Sequence, residues 1–323
     1  MSRSVLAQKR AVAPPTGGWI RPFAANAPWN VPLAGLPLHS QSSLYVDRLW
    51  GGSPGTWYPE LAEWTYSVFE VTPGLQQHLV HCDYESNMDG QYMPYDPNWQ
   101  PSQGGDGQMI VLDPLTGREW DLWIVHYDQS TGIVNVGSGT LCAESYWTSY
   151  DGPLGARGCG IATYAMLPMA KEMAQGEIRH ALGMSVPNPD GNIFVAPAHV
   201  LEHPGRGDGV PEGMRFGVTL TDQQIQNWLN AMPGGITAAS KASAAKIARC
   251  LRDYGFLIVD TGSDYGRGGE LDFEDYASGG AVWNTIGMNS YQAGSLYWPG
   301  QMLTGLVTNK SQVYAVVPSD QYP

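Results

Sequence analysis

The sequence predicts a mainly β protein, an antiparallel β-sandwich of the jelly-roll type with a few helices packed in its C-terminal half. Three observations support this fold class. Short apolar segments with two-residue alternation recur along the chain. Glycine (40) and proline (24) make up about a fifth of the 323 residues and punctuate these segments. The helical patterns that can be recognised concentrate after the middle of the chain.

The chain divides into an extended N-terminal arm, residues 1–40, and a single sandwich-type domain with helical insertions, residues 41–323. The arm is rich in proline, alanine and glycine and has little periodicity. Such arms often lie on another surface, so we expect it to suit docking on a neighbouring subunit. The rest of the chain is long enough to bury a substantial core.

In the first half, residues 42–52 (SSLYVDRLWGG) predict a short helix, and two strands are expected on either side of the turn dipeptide Pro73-Gly74. The clearest hairpin joins QMIVLD to REWDLWIVHYD through residues 114–117. Alternation along the second strand, taken as continuous over residues 118–128, places large apolar groups on both faces. We therefore expect this strand to be buried between two layers.

The central stretch, residues 157–187, reads as a glycine-rich bend, a helix from Pro168 to about Gln175, a stop at Gly176, and a strand. In that strand His180 alternates with apolar residues from Ile178 to Val186. Two further helices are predicted from about residues 221 and 239, and the second runs into the strand FLIVD.

Charge restricts the possible partners. The net charge is -13 and only 15% of residues are charged. Nucleic acid and anionic membranes are disfavoured by this sign, and no apolar run is long enough to span a bilayer. The 12 tryptophans and 17 tyrosines suit neutral polyols, because sugar CH faces stack on aromatic rings. No secretion signal is recognised at the N-terminus.

Candidate catalytic residues are scattered: His180, Arg157, His126, Tyr127 and Asp260. A histidine or tyrosine base with an arginine that neutralises a uronate carboxylate is what a polysaccharide lyase needs. Carboxyl groups such as Asp260 and Asp264 equally suit glycoside hydrolysis. Each residue also has a structural interpretation, and for His180 this is a core histidine that is fully hydrogen-bonded.

The loop from Tyr84 to Gly107 is long and lacks periodicity, a pattern typical of functional loops. Candidate ligand-binding aromatics are Tyr92, Tyr95 and Trp99 in this loop, and Trp123 on the hairpin. The alternative is that they cover the edge of a hydrophobic core.

Other motifs carry less weight. Residues 199–203 match the HxxEH zinc pattern, but the flanking Pro197 and Pro204 leave no room for the helix that it requires. No cofactor or resident metal is expected, although adventitious metal binding by these histidines stays open. The widely spaced cysteines, at positions 82, 142, 159 and 250, permit buried thiols, disulfides or metal binding.

Several segments resemble an uncharacterised family of actinobacterial secreted proteins, relatives of which resemble minor tail proteins of actinobacterial phages. The matching segments cover about two-thirds of the chain and are RGCGIATYAMLPMAKEMAQGEIRHAL, FVAPAH, VPEGMRF, AAKIARCLRDYGFLIVDTGSD, DPLTGREWDLW and APWNVPL. The resemblance implies that these positions recur in the family: Gly160, His180, Pro197, Gly213, Tyr254, Gly255 and Asp260. It carries no established activity.

The leading functional expectation is therefore a virion structural and recognition protein, a phage minor tail or tail-tip subunit. It would contact other virion proteins and host-surface glycan, as a homo-oligomer, without nucleic acid or membrane insertion. The alternative is a polysaccharide lyase or glycoside hydrolase acting on a cell-wall or extracellular glycan. The expected location is the virion, with secretion as the alternative.

Overall fold

The computed structural model describes residues 21–142, 145–147, 158–262 and 268–323. The helices in these ranges are α1 (Ser42–Gly52), α2 (Ala170–Gln175), α3 (Asp222–Ala231), α4 (Ala238–Asp253) and α5 (Tyr276–Thr285). The strands are β1 (Tyr58–Glu60), β2 (Tyr66–Glu70), β3 (Gln77–Cys82), β4 (Tyr92–Pro94), β5 (Gln108–Asp113), β6 (Arg118–Trp123), β7 (His126–Asp128), β8 (Ile133–Val136), β9 (Ser138–Leu141), β10 (Leu182–Val186), β11 (Pro189–Phe194), β12 (Val210–Glu212), β13 (Arg215–Val218), β14 (Phe256–Thr261), β15 (Glu270–Asp272), β16 (Tyr291–Ala293), β17 (Leu296–Trp298) and β18 (Val313–Ala315).

The strands form one central six-stranded sheet, two four-stranded sheets and two small ribbons. The central sheet has the order β1-β15-β10-β14-β13-β18, and the four-stranded sheets have the orders β2-β5-β6-β9 and β4-β3-β8-β7. The predicted class is confirmed: the protein is mainly β and sandwich-like, with most helices in the C-terminal half. Parallel pairs such as β10–β14 and β2–β5 accompany the antiparallel ones, so the sheets are mixed.

Alternating side chains on β14 show how the layers stack. Phe256 and Ile258 lie in the core shared with α4, whereas Leu257 and Val259 lie in a second core that also contains Ile110. All four β14 side chains are fully buried. A strand covered on both faces must be apolar at successive positions, which is what the FLIVD segment supplies.

The second sheet is buried on both faces as well. On β5, Ile110 and Leu112 face the central sheet, while Met109 and Val111 face the sheet that contains β3 and β8. The described residues therefore form three β layers, with a core on each side of the middle layer. Helices cover the outer face of the central sheet.

Local signals account for the helices. Thr221 caps α3 with a reciprocal capping box to Gln224, and Thr237 caps α4. After α4 the chain turns at Gly255, which has φ of +66°, and a Cβ there would lie 1.9 Å from the carbonyl oxygen of Phe216. Only glycine fits this turn, because any side chain would collide with backbone.

The strand predicted over residues 118–128 is interrupted. Ile124 has φ of +56°, which ends β6 at Trp123. The chain then enters β7, which pairs with β8 in the outer sheet rather than continuing the hairpin. The predicted alternation was therefore wrong beyond Trp123, because an apolar pattern does not reveal a change of sheet.

The strand predicted from Ile178 begins later. Only β10, from Leu182, has strand geometry, and all its residues are buried. His180 precedes the strand, and Ala181 donates its N–H to the carbonyl of Trp29. The small side chain of Ala181 allows the backbone of Trp29 to approach this closely.

The described part of the predicted arm lies on its own domain. Phe23 and Trp29 are buried in the core beneath the central sheet. Arg215, only 1% exposed, donates to the carbonyls of Pro28 and Val31, and these bonds tie the arm to β13. Residues 1–20 lie outside the described residues. Docking of the arm on a neighbouring subunit stays a prediction.

Two smaller expectations concern cysteines and membranes. The cysteines at positions 82, 142, 159 and 250 are buried free thiols, one of the predicted alternatives. Among the described helices, none has the length and apolar character needed to cross a bilayer.

Candidate functional site

A pocket of about 260 Å³ opens where the end of β14 meets the middle sheet. One wall carries Asp260 and Thr261 from the end of β14, with Glu202 from the loop before β12. The other wall comes from the middle sheet and the loop that precedes β5, and it carries Tyr66, Asp106, Gln108, Leu122 and Trp123. Sheet ends are common ligand sites because loops there can approach each other without disturbing strand pairing.

Glu202 and Asp260 are held side by side. The backbone N–H of Thr261 donates to Glu202 Oε2 (2.9 Å) and to Asp260 Oδ1 (2.8 Å). The Thr261 hydroxyl adds a second bond to Glu202 Oε2 at 2.6 Å. Gly158 lies against Glu202 as well, and a Cβ there would lie 2.4 Å from Glu202 Cδ. These contacts restrict the Glu202 carboxyl to one orientation at the pocket wall.

Glu212 lies directly behind Glu202 and is 1% exposed. Its Oε2 accepts a bond from the Glu202 N–H at 3.2 Å. Burial, and after it the neighbouring Glu202 carboxyl, raise the pKa of Glu212 to about 8. Glu212 therefore keeps its proton at neutral pH.

The facing wall holds Asp106, whose Oδ1 accepts a bond from Trp123 Nε1 at 3.1 Å. This bond orients the Asp106 carboxylate. The exposed ring of Tyr84 lies 6.0 Å from the Trp123 ring at a tilt of 35°. The two rings form an aromatic surface at the rim of the pocket, of the kind on which sugar rings stack.

Gln108 contributes an amide to the same wall and is 9% exposed. Its Nε2 donates to the Tyr66 hydroxyl at 3.3 Å, and its backbone N–H donates to Ser102. The amide oxygen Oε1 accepts no bond from any described residue. A buried acceptor of this kind gains stability from a ligand donor.

Further buried carboxyl groups surround the first strands of the central sheet. Burial raises the pKa of Glu270 to about 9, of Glu274 to about 7 and of Asp275 to about 6. After burial, the negative charge of Asp272, Glu60 and Asp106 contributes to the raised pKa of Glu270. Tyr58 donates its hydroxyl to Glu270 Oε2 at 3.3 Å. This end of the molecule thus concentrates acidic side chains, and Glu270, Glu274 and Asp275 keep their protons to a higher pH than ordinary carboxyl groups do.

Of the residues that the sequence singled out, Asp260 and Trp123 line the pocket. His180 does not: it is 1% exposed, with Nδ1 2.8 Å from the Ala181 carbonyl and Nε2 3.1 Å from Glu172 Oε2. Both ring nitrogens are therefore engaged within the core. This agrees with the structural interpretation of His180 and gives it no path to a substrate.

His126 and Tyr127 lie in the outer sheet, on β7. His126 is exposed, and the Tyr127 hydroxyl lies 3.4 Å from His78 Nδ1. The interruption at Ile124 carries both residues away from the hairpin strand on which they were expected. Neither residue lines the pocket.

The candidate aromatic residues of the long loop also lie outside the pocket lining. Tyr95 is 1% exposed in the outer core, and Trp99 stacks on Phe69 at 5.0 Å. These two follow the core-covering alternative. Tyr92 is 66% exposed on β4. Arg157, like Asp264, lies outside the described residues.

Sequence reasoning missed Asp106, Gln108 and Glu212. Asp106 follows a glycine pair in the long loop, and Glu212 belongs to the VPEGMRF segment, but neither position has a chemical motif. Glu202 was noticed only as part of the HxxEH match. The segment has no helix, as predicted, and Glu202 faces the pocket while His203 lies 3.4 Å from its other oxygen.

A separate group of metal-type ligands lies elsewhere. Ligand atoms of Glu119, Asp121 and Cys142 all lie within 4.8 Å of one another, and all three residues are buried. Backbone N–H groups of Tyr164 and Thr163 donate to Glu119 Oε1 and Asp121 Oδ2. One oxygen of each carboxylate is therefore held by the chain itself.

A larger apolar groove of about 590 Å³ lies between α3 and the C-terminal segment. Its lining includes Trp228, Met232 and Leu306, and no titratable side chain is among the described lining residues. The groove offers contact surface but no acid–base chemistry, so the smaller pocket is the better candidate for a reaction.

No family model, curated protein or solved structure matches this chain.

Proposed function

We propose that the protein binds a glycan in the pocket at the end of β14 and hydrolyses a glycosidic bond there. The observation that carries this proposal is Glu212, a buried acid that keeps its proton to about pH 8 directly behind Glu202, which lies at the wall of an open cavity. Glycoside hydrolysis needs one carboxylic acid that is still protonated at working pH and a second carboxylate close by.

The residues have distinct roles in this reaction. Glu202 faces the cavity and passes the proton of Glu212, which lies directly behind it, to the leaving glycosidic oxygen. Asp106 on the opposite wall attacks the anomeric carbon or activates a water. Asp260 adds negative charge, which stabilises the developing oxocarbenium ion.

Hydrolysis is favoured over β-elimination. A lyase that acts on uronides needs a cation near the uronate carboxylate and a base near its α-proton. The described lining of the pocket has three carboxyl groups and no lysine or arginine. The candidate bases His126 and Tyr127 lie in the outer sheet.

The test is a glycan panel assayed for new reducing ends, with wild type, Glu202→Gln and the matched control Glu85→Gln, an exposed glutamate. We expect wild type and the control to release reducing ends, and Glu202→Gln to lose about 10²–10⁴-fold in rate. Equal activity of Glu202→Gln and the control would contradict the assignment. No product from any glycan would overturn hydrolysis.

The second candidate is a recognition subunit of a phage tail that binds host-surface glycan and other virion proteins as a homo-oligomer. The aromatic surface formed by Tyr84 and Trp123 favours it, since stacking needs no catalysis. In this case whole cells or cell-wall glycan would bind the protein without release of reducing ends. A chain that stays monomeric and shows no such binding would contradict it.

A further inference from the structure

We propose that the pocket selects glycans that carry a free, protonated amine, such as de-N-acetylated hexosamine chains. The inference rests on the proposed function, which it deepens by naming the substrate class. It depends on two independent features: the sign of the charge in the lining and the buried acceptor of Gln108.

The first feature is that the charged side chains in the described lining of the pocket are all acidic. Asp106, Glu202 and Asp260 line the pocket from opposite walls, and the described lining includes no lysine or arginine. Glu270 and Glu212 lie behind these walls, but their raised pKa values, about 9 and about 8, keep them protonated at neutral pH, so the negative charge comes from the lining itself. Two bases approach the rim: Arg206 donates to Thr261 Oγ1 at 3.4 Å, and His203 lies 3.4 Å from Glu202.

Arg206 and His203 do not reverse the negative charge of the pocket lining. Arg206 and His203 are exposed, and Arg206 also donates to the Pro187 carbonyl at 3.1 Å. A cationic group entering the cavity meets carboxylates on both sides, whereas a uronate carboxylate meets like charge. The lining thus favours an amine over an acid on the sugar.

The second feature is the amide of Gln108. Its Oε1 is buried and accepts no bond from the described residues, while its Nε2 is fixed to the Tyr66 hydroxyl. An ammonium group offers three N–H donors and no acceptor, so one group can bond this oxygen and neighbouring carboxylates together. An N-acetyl group keeps only one N–H and carries no charge.

A bare divalent cation fits less well. Such an ion needs several oxygens converging on one point. Glu119, Asp121 and Cys142 converge in this way, but they lie elsewhere, and no described trio in the pocket does so. The cavity of about 260 Å³ is wider than an ion needs and suits part of a sugar ring.

The test compares oligosaccharides of equal length made of glucosamine, N-acetylglucosamine, glucose or galacturonate. Binding is measured by calorimetry and cleavage by reducing ends. We expect glucosamine chains to bind about tenfold more tightly than the others, and the preference to shrink as salt rises because charge contacts are screened.

The variant is Gln108→Met, which keeps the side-chain length and removes the acceptor, with the exposed Gln91→Met as control. We expect an affinity loss of about tenfold for glucosamine chains only in the first variant. Thermal melting checks its folding. If Gln108→Met does not fold, the salt dependence of glucosamine-chain binding by the wild type still tests the proposed preference for an amine.

The outcomes separate the two proposals. Cleavage of neutral or N-acetylated chains with no preference for the amine would overturn the substrate class and leave hydrolysis standing. Amine-selective binding without cleavage would support the substrate class and overturn hydrolysis. Tighter binding of galacturonate, or no binding of any chain, would overturn the inference.

Discussion

Two carboxylate-containing sites in this protein differ in what the fold leaves for a ligand. Glu172 and His180 form a pair in which both residues are about 1% exposed and both imidazole nitrogens have partners. Glu202 also has defined partners, but it faces an open pocket and lies against the buried Glu212, whose pKa is raised to about 8. The first site is closed off in the core, and the second is open to another molecule.

A histidine among apolar neighbours is therefore weaker evidence of catalysis than a loop acid at the end of a strand. Both nitrogens of the His180 ring are engaged within the core, out of reach of a substrate. A wall acid such as Glu202 can be reached by a substrate, and the buried Glu212 behind it holds a proton.

The largest expected effect comes from breaking the core pair. Glu172→Ala leaves His180 buried without its partner, so we expect the free energy of unfolding to fall by about 3 kcal/mol or more. Glycan cleavage per folded molecule should not change. Denaturant unfolding measures the first and active-fraction kinetics the second.

The matched control for this change is Glu177→Ala, which removes an exposed pair with Arg249 at 2.8 Å. That loss should stay under about 1 kcal/mol, because solvent screens exposed pairs. If Glu172→Ala abolished cleavage while unfolding stayed normal, the comparison between the two sites would be reversed.

A second effect concerns Glu270, whose pKa burial raises to about 9. The folded state holds a proton that the unfolded chain releases above its ordinary glutamate value. This contribution to stability is complete below about pH 4.5 and is lost as the pH rises toward 9. We expect wild type to be less stable at pH 9 than at pH 5.

Glu270→Gln removes that titration while keeping the side-chain shape, so the loss between the two pH values should shrink by about 2 kcal/mol or more. Thermal melting at both pH values measures it, with Glu85→Gln, an exposed carboxylate, as the control. An unchanged pH dependence would show that Glu270 is already ionised in the folded protein.

A third effect separates Glu212 from Glu202. Because the pKa of Glu212 is raised to about 8, cleavage should fall as pH rises through about 8 and Glu212 loses its proton. Glu212→Gln removes this titration, so the alkaline limb near pH 8 should disappear. The pH profile of kcat/KM is the measurement, and an unmoved limb would assign the proton to another group.

The smallest expected effect concerns the aromatic rim. Tyr84 is 63% exposed and faces Trp123, so Tyr84→Ala should leave folding intact and weaken glycan binding by about fivefold. Tyr92→Ala is the control, since Tyr92 is similarly exposed but does not line the pocket. Equal losses of glycan affinity in both variants would indicate that the glycan binds closer to β4.

Much of the local structure was predictable from the sequence. The helix over residues 42–52, the capped helices α3 and α4, the hairpin of β5 and β6, and the strand FLIVD all follow from capping residues, turn residues and periodicity. Less than half of the pocket lining was anticipated. Asp260 and Trp123 were, but Asp106, Gln108 and Glu202 come from separate loops and strand ends.

Signals between residues close in the chain are enough to predict a β-rich, acidic protein with capped helices and strands apolar enough for burial. They do not predict that β7 joins a different sheet, that Glu172 closes off His180, or that Glu202 meets Thr261 and Glu212. Those contacts join distant segments through sheet stacking, and no local pattern specifies which loop acid will face which strand end.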